Sequence, residues 1–161
     1  MLSEVYFSNY RCYNSHGLPL KPYTIVVGKN NAGKSTMIEG LRLLSLITER
    51  YPNLNFHRVP RWLEIPLRQR GMRADLKGIS LSWDNLFNHY KGPPAHVEGS
   101  FSDGSSLTVF LGGDKEMHAV LRDDIGGIVT NKGQARDTPL PKIRVLPQIA
   151  PLVREEKRLG D

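Results

Sequence analysis

The chain has 161 residues, 39% of them hydrophobic, and a formal net charge of +6. This length suits one domain with its own packed core, and Gly and Pro, at 15 and 11 residues, are too few for a disordered or low-complexity chain. A single cysteine, Cys12, excludes an internal disulfide framework, and the positive surplus suits a polyanionic partner, nucleotide phosphates or nucleic acid, without choosing between them.

No basic segment precedes an apolar run in the first ten residues, so no secretory signal is read. Residues 2–7 alternate and read as a first strand. Residues 18–20 read as a short second strand, and Cys12, at a strand or its end, is expected to be an inert packed thiol. Residues 23–27 (YTIVV) are β-branched and aromatic and stop at Gly28, the pattern of a buried strand running into a turn. A helix is expected from near Gly33 to about Arg50, with Met37, Ile38, Leu41, Leu44 and Ile47 along one face. Tyr51-Pro52 ends it, because the residue before a proline is pushed out of the α region. Its most apolar part, residues 41–47, is interrupted by Arg42 and Ser45 and is far too short to cross a bilayer. A soluble, cytoplasmic protein with no membrane partner is the expectation.

Residues 53–78 are rich in arginine, lack a clear period and read as an ordered insertion or long loop. Their basic residues (Arg58, Arg61, Arg68, Arg70, Arg73, Lys77) are interleaved with Phe56 and Trp62, which fits either a solvated surface or a nucleic-acid contact. Residues 82–90 suggest a short helix with Ser82 as N-cap. Residues 95–101 and 107–111 flank Asp103-Gly104, a strong hairpin signal, and residues 117–121 give a third strand. Residues 125–141 read as a loop with a short strand at Ile128-Val129. Residues 143–146 read as a strand stopped by Pro147, and residues 152–159 as the start of a helix. The five histidines show no metal-ligand spacing.

Between the strand at 23–27 and the helix lies Gly28-Lys29-Asn30-Asn31-Ala32-Gly33-Lys34-Ser35, which fits G-x-x-x-x-G-K-[ST]. Glycines allow a backbone turn whose N–H groups face a β-phosphate. Lys34 brings a mobile positive charge to the β- and γ-phosphates, the Ser35 hydroxyl ligates magnesium, and the helix presents its positive dipole end to the same anion. This points to a nucleoside triphosphate with Mg2+. No Asn-Lys-x-Asp base-reading motif appears, since Asn131-Lys132-Gly133-Gln134 lacks the Asp, so ATP is favoured over GTP.

Asn9-Tyr10-Arg11, followed by this loop with Asn30 and Thr36, resembles the amino-terminal ATP-binding lobe of ABC-type P-loop ATPases of the RecF, SMC and OLD kind within the AAA group. The resemblance covers residues 1–48 well and the later strands more weakly. It implies an α/β P-loop NTPase lobe with a mixed sheet around the loop's helix and an antiparallel β-subdomain, all of residues 1–161 forming one lobe with a basic insertion at about 53–78. It implies nucleotide contacts by Arg11, by the backbone of Asn30, Asn31, Ala32 and Gly33, and by Lys34, Ser35 and Thr36, with Thr36 near the α-phosphate and Arg11 at phosphate or adenine. It also implies a Q-loop, for which Gln148 is the candidate, meeting magnesium and the attacking water. Lys34 and Gln148 would be the catalytic pair, and Ser35 and Gln148 the magnesium ligands. The same resemblance implies a dimer of heads closing on ATP, with DNA or an effector protein as further partner, in DNA transactions or phage defence.

That family also needs a Walker B strand and a signature motif, and neither is legible here. Residues 107–114 (LTVFLGGD) and 119–124 (AVLRDD) only mimic them, and read as hairpin and strand. The expectation is therefore an amino-terminal piece of a longer ATPase that binds nucleotide with little turnover by itself. An ATP-gated regulatory module and a P-loop kinase remain the alternatives.

Overall fold

The computed structural model describes residues 1–63, 65–66, 69–74 and 81–146. Its frame is one seven-stranded sheet in the order β2-β1-β5-β6-β7-β4-β3. The strands are β1 (Leu2–Tyr10), β2 (Tyr13–Pro19), β3 (Phe56–Arg58), β4 (Arg70–Ala74), β5 (Ala95–Phe101), β6 (Ser106–Leu111) and β7 (Met117–Arg122). Every pairing is antiparallel. The expected mixed sheet is thus corrected to a wholly antiparallel one.

The centre of the sheet follows from alternation. In β5 every second residue, Ala95, Val97, Gly99 and Phe101, is buried, which puts one face of the strand on the core. Register sets Val5 opposite Gly99 and Phe7 opposite Val97. The long helix α1 (Lys34–Arg50) lies on that face. Its buried residues are Gly40, Leu43, Leu44, Leu46, Ile47 and Thr48, a face rotated from the expected one, and Ile38 is 40% exposed. Two glycines set the close approach. A Cβ on Gly40 would collide with the Phe7 ring and sit 3.3 Å from Val97 Cγ1, and one on Gly99 would sit 3.1 Å from Leu44 Cδ1. Gly40→Ala should therefore destabilise the fold. The helix gains about 1 kcal/mol of propensity, but overpacking costs about 1–3 kcal/mol. A lower urea midpoint is the expected result; a higher one would show that the helix rides further from the sheet.

Local signals place the hairpin. Gly104 has φ +93°, and the Asp103 carboxylate accepts from the Ser105 N–H and hydroxyl, which closes the turn between β5 and β6.

Several local expectations change or are narrowed. Residues 23–27 form no strand; Tyr23 is 95%, Ile25 88% and Val27 85% exposed. Strand-forming composition does not itself supply a ladder partner, and none pairs there among the described residues. Of the two readings of residues 53–78, ordered insertion or long loop, the described part fits the first, since β3 and β4 extend the sheet beyond β7, and Arg68 and Lys77 lie outside the described residues. Residues 82–90 form turns and a single 3-10 turn, Asn88–Tyr90, because Asn85 and His89 adopt positive φ (56° and 46°) and break any α-helix. Residues 125–141 hold a helix, α2 (Lys132–Asp137), capped by the Asn131 side chain, which accepts from the Gln134 N–H; the expected strand there is a single bridge, Arg122 to Ile128. Residues 143–146 are not a strand, although the Ile143 carbonyl accepts from Ser45 Oγ at 2.6 Å. The expected helix at 152–159 lies outside the described residues. No helix among the described residues is long and apolar enough to cross a membrane.

His118 in β7 is buried, against the edge of Trp62. Burial pushes its pKa below the usual 6.5; the Glu116 carboxylate opposes this, while Arg73 and His57 add to it. Burial also lowers His96, against the pull of Glu98. The folded chain keeps both rings neutral at pH values where the unfolded chain protonates them. Their contribution is full above about pH 6.5 and is lost as pH falls through their folded pKa values. The urea midpoint should fall from pH 7.5 to 5.5, and His118→Gln should flatten that fall. An unchanged slope in the variant would assign the effect elsewhere.

Candidate functional site

The site is built where residues 28–33 lead into α1. Gly33 takes φ +89°, ψ 0° and caps the helix by backbone alone, with no side-chain cap and no acidic residue in the first turn. Its carbonyl accepts the Met37 N–H at 2.9 Å and the Tyr13 hydroxyl at 3.1 Å. A Cβ at Gly33 would lie 2.5 Å from Tyr13 Oη and 3.1 Å from Cys12 Sγ, so glycine is required both by conformation and by space. Asn31 supplies a second positive φ, 68°, while Gly28 does not adopt one. A Cβ on Gly28 would still meet the Ala32 Cβ at 3.1 Å. The Ala32 N–H turns back to the Lys29 carbonyl at 3.2 Å.

Lys34 reaches back over this loop. Its ammonium donates to the carbonyls of Gly28 at 2.5 Å and Lys29 at 2.7 Å. A cleft of about 550 Å³ opens here, lined by Cys12, Asn30, Asn31, Gly33, Lys34, Ser35 and Thr36. Among the described residues no carboxylate lines it. An uncapped helix start, an ammonium and two hydroxyls facing one cleft suit an oxyanion. Lys34, Ser35, Thr36, Asn30, Asn31 and Gly33 are thus brought together. Ala32 belongs to the same loop, and Gln148 lies outside the described residues.

Arg11, for which the resemblance implies a nucleotide contact, has its guanidinium on protein groups in the structure. It has φ 50° at the end of β1. Nε pairs with Glu39 Oε1 at 2.8 Å, Nη2 donates to the Ser82 carbonyl at 2.8 Å and Nη1 to that of Asp84 at 3.4 Å. Burial pulls its pKa down, but the Glu39 hydrogen bond and charge outweigh that and leave it raised. The same Glu39 oxygen accepts from the Tyr10 hydroxyl. Burial, with Glu39, raises the Tyr10 pKa far beyond its usual range. Arg11 therefore ties α1 to β1 and to the segment around residue 83. It also lines a second cleft of about 350 Å³ with Cys12, Thr36, Asn85, Phe87 and His89.

Sequence reasoning missed Glu39, Tyr13 and the 85–89 segment. Glu39 lies one turn past Ser35 on α1, and asking what partner Arg11 needs would have found it. Cys12, expected to be packed, is exposed and walls both clefts. Among the described residues no group of three or more His, Cys, Asp or Glu could hold a metal ion.

In an α/β domain, a glycine-bounded loop feeding a helix whose start has no side-chain cap is an arrangement that suits phosphate-bearing ligands. Residues 1–85, just over half the chain, match the family model described as an AAA ATPase domain, and the chain belongs to that family. Family membership implies nucleotide and typically magnesium use. The chain is also 36% identical over 130 residues to a protein described as OLD nuclease from Thermus scotoductus (strain ATCC 700910 / SA-01), a match covering 80% of this chain and 22% of that protein. It thus spans only about a fifth of that relative's length. The resemblance to OLD-type ATPases drawn from residues 9–11 and 28–36 agrees with both matches.

Proposed function

We propose that this chain binds ATP with magnesium through residues 28–36, as the P-loop half of an ABC-type ATPase head. The observation that carries it is the meeting, in one cleft, of Gly33 at φ +89°, an uncapped helix start and the Lys34 ammonium. Triphosphate oxygens would take the Lys34 ammonium from the carbonyls of Gly28 and Lys29, and the loop and first-turn N–H groups would meet the phosphates. Ser35 fits magnesium, an ion usually held by one or two protein ligands, water and substrate phosphates rather than by a protein cage. Thr36 stands further along, at the α-phosphate end.

The resemblance further supports a head that closes with a second head over ATP, a cytoplasmic setting, and DNA-directed work such as phage defence. The name of the Thermus relative points the same way. Gln148 belongs to this reading as a ligand of magnesium and of the attacking water.

Binding without turnover is the second reading for the chain alone. Among the described residues no Asp or Glu lines the cleft, and phosphoryl transfer to water needs a group that positions the nucleophile. Calorimetric titration with ATP and GTP, each with and without magnesium, tests the proposal. Magnesium-dependent ATP binding with weaker GTP binding is expected. Silence toward both nucleotides would end it.

A further inference from the structure

We propose that the sheet edge formed by β3 and β4 is a contact surface for the phosphate backbone of a nucleic-acid duplex, with Arg58, Arg61 and Arg70 as its contacting side chains. Residues 28–36 play no part in it.

Positive charge is concentrated at this edge. Residues 53–78 hold six lysines and arginines against two carboxylates, Glu64 and Asp75, and so carry +4 of the chain's net +6. Five of the six are arginines. Charges that only guard a sheet edge against pairing are most often lysines, whereas a planar guanidinium matches phosphate oxygens two at a time. β3 is the outermost strand of the sheet, and register sets Arg58 directly opposite Arg70. Side chains so placed stand about 5 Å apart at Cβ, where like charges repel. An anion held between them relieves that repulsion. Arg58, Arg61 and Arg70 are all exposed, and among the described residues no carboxylate pairs with any of them. Arg73, the next arginine on β4, does have one, Glu116 at 3.7 Å.

The backing of these arginines is packed. Val59 and Leu63, two residues either side of Arg61, are buried, and Met72 on β4 is fully buried. A Cβ on Gly71 would come within 2.9 Å of the Ala119 carbonyl oxygen and 3.3 Å of Val59 Cγ1, so the two strands and the segment after β3 lie close on β7. The aromatic side chains interleaved with the arginines are taken up in that packing. Trp62 Nε1 donates to Glu116 Oε2 at 3.3 Å, its ring meets His118 at 74°, and a Cβ on Gly112 would stand 2.7 Å from its Cζ2. Phe56, opposite Met72, packs on the core. Neither ring is free to stack on an unpaired base, and neither offers an apolar wedge to a bilayer. What remains in solvent is guanidinium, which holds a phosphate backbone without reading its sequence.

Fluorescence anisotropy with a labelled DNA duplex of about 25 base pairs and arbitrary sequence, read over a salt series, is the test. The wild-type chain binds, and the logarithm of its affinity falls linearly with that of the salt concentration. Arg58→Gln combined with Arg70→Gln lowers the slope by about 2 and weakens binding by at least about tenfold near 0.1 M salt. Both side chains are exposed and face each other with like charge, so the variant keeps its fold and its urea midpoint does not fall. Lys21→Gln combined with Lys91→Gln removes the same charge beside β2, at the opposite edge of the sheet, and leaves the slope unchanged. A single strand of the same length binds no more tightly than the duplex. A wild-type chain that ignores the duplex overturns the proposal, as does a wild-type slope in the arginine variant or an equal loss in the lysine variant. Tighter binding of the single strand would show base stacking in place of backbone contact and overturn it too. Displacement of the duplex by polyglutamate at matched charge would assign the edge to an acidic protein segment and overturn it likewise.

Discussion

Lys34→Ala is expected to weaken magnesium-ATP binding by at least about a hundredfold while the chain keeps its fold. A hydrogen bond to a charged group contributes about 1.5–3 kcal/mol. In the proposed complex the ammonium meets two phosphates, and each 1.4 kcal/mol is about tenfold in affinity. Its contacts in the structure are two carbonyls of the exposed loop, so their loss should change the unfolding free energy by less than about 0.5 kcal/mol. Calorimetry beside a denaturation curve reads both quantities. Equal affinity in variant and wild type would place the triphosphate somewhere other than this loop.

Gly33→Val should do comparable damage by a different route. The residue sits at φ +89°, where an L-side chain costs about 1–2 kcal/mol, and a β-branched one more. Its Cβ would also press within 2.5 Å of Tyr13 Oη and 2.8 Å of Tyr13 Cζ. The loop must then rotate, carrying the first-turn N–H groups and Lys34 away from one another. ATP affinity should fall by about a hundredfold or more. Gly28→Ala is the control. That glycine has no positive φ, and its Cβ would meet the Ala32 Cβ at 3.1 Å and the mobile Lys34 Nζ at 4.0 Å, so a loss below about tenfold is expected. If the two substitutions cost the same, the left-handed turn at Gly33 is not what shapes the site.

The legible parts of this chain were those settled by local chemistry. The loop from Gly28 to Ser35 was read from residue types alone, since each position has its own conformational or electrostatic requirement, and the structure brings Lys34, Ser35 and Thr36 to one cleft. α1 was placed within one residue, because Pro52 marks its end and a glycine its start. The β5–β6 hairpin followed from Asp103-Gly104.

What stayed hidden depends on partners distant in sequence. Residues 23–27 carry the composition of a buried strand, yet burial and pairing come from neighbours, and the structure leaves Tyr23, Ile25 and Val27 exposed. β3 and β4 were obscured because they lie towards the edge of the sheet, where Arg58, opposite Arg70, and Arg73 stay in solvent and spoil the apolar alternation. The 82–90 segment shows a cap residue and an apolar pair, but Asn9 and Asn88 clamp it into turns that no local propensity foretells. α2 was legible in principle: Asn131 and Gln134 have capping spacing, and the surrounding glycine and threonine masked it. Arg11 was singled out as a special residue, but its partner Glu39 lies 28 residues further along the chain and went unread.

Backbone amide chemical shifts during a titration with magnesium-ATP decide whether the loop before α1 holds the nucleotide. The largest changes are expected on residues 28–36, and magnesium-tripolyphosphate should reproduce them. Saturating nucleotide that leaves those amides still, or that moves only amides remote from the start of α1, would contradict this placement.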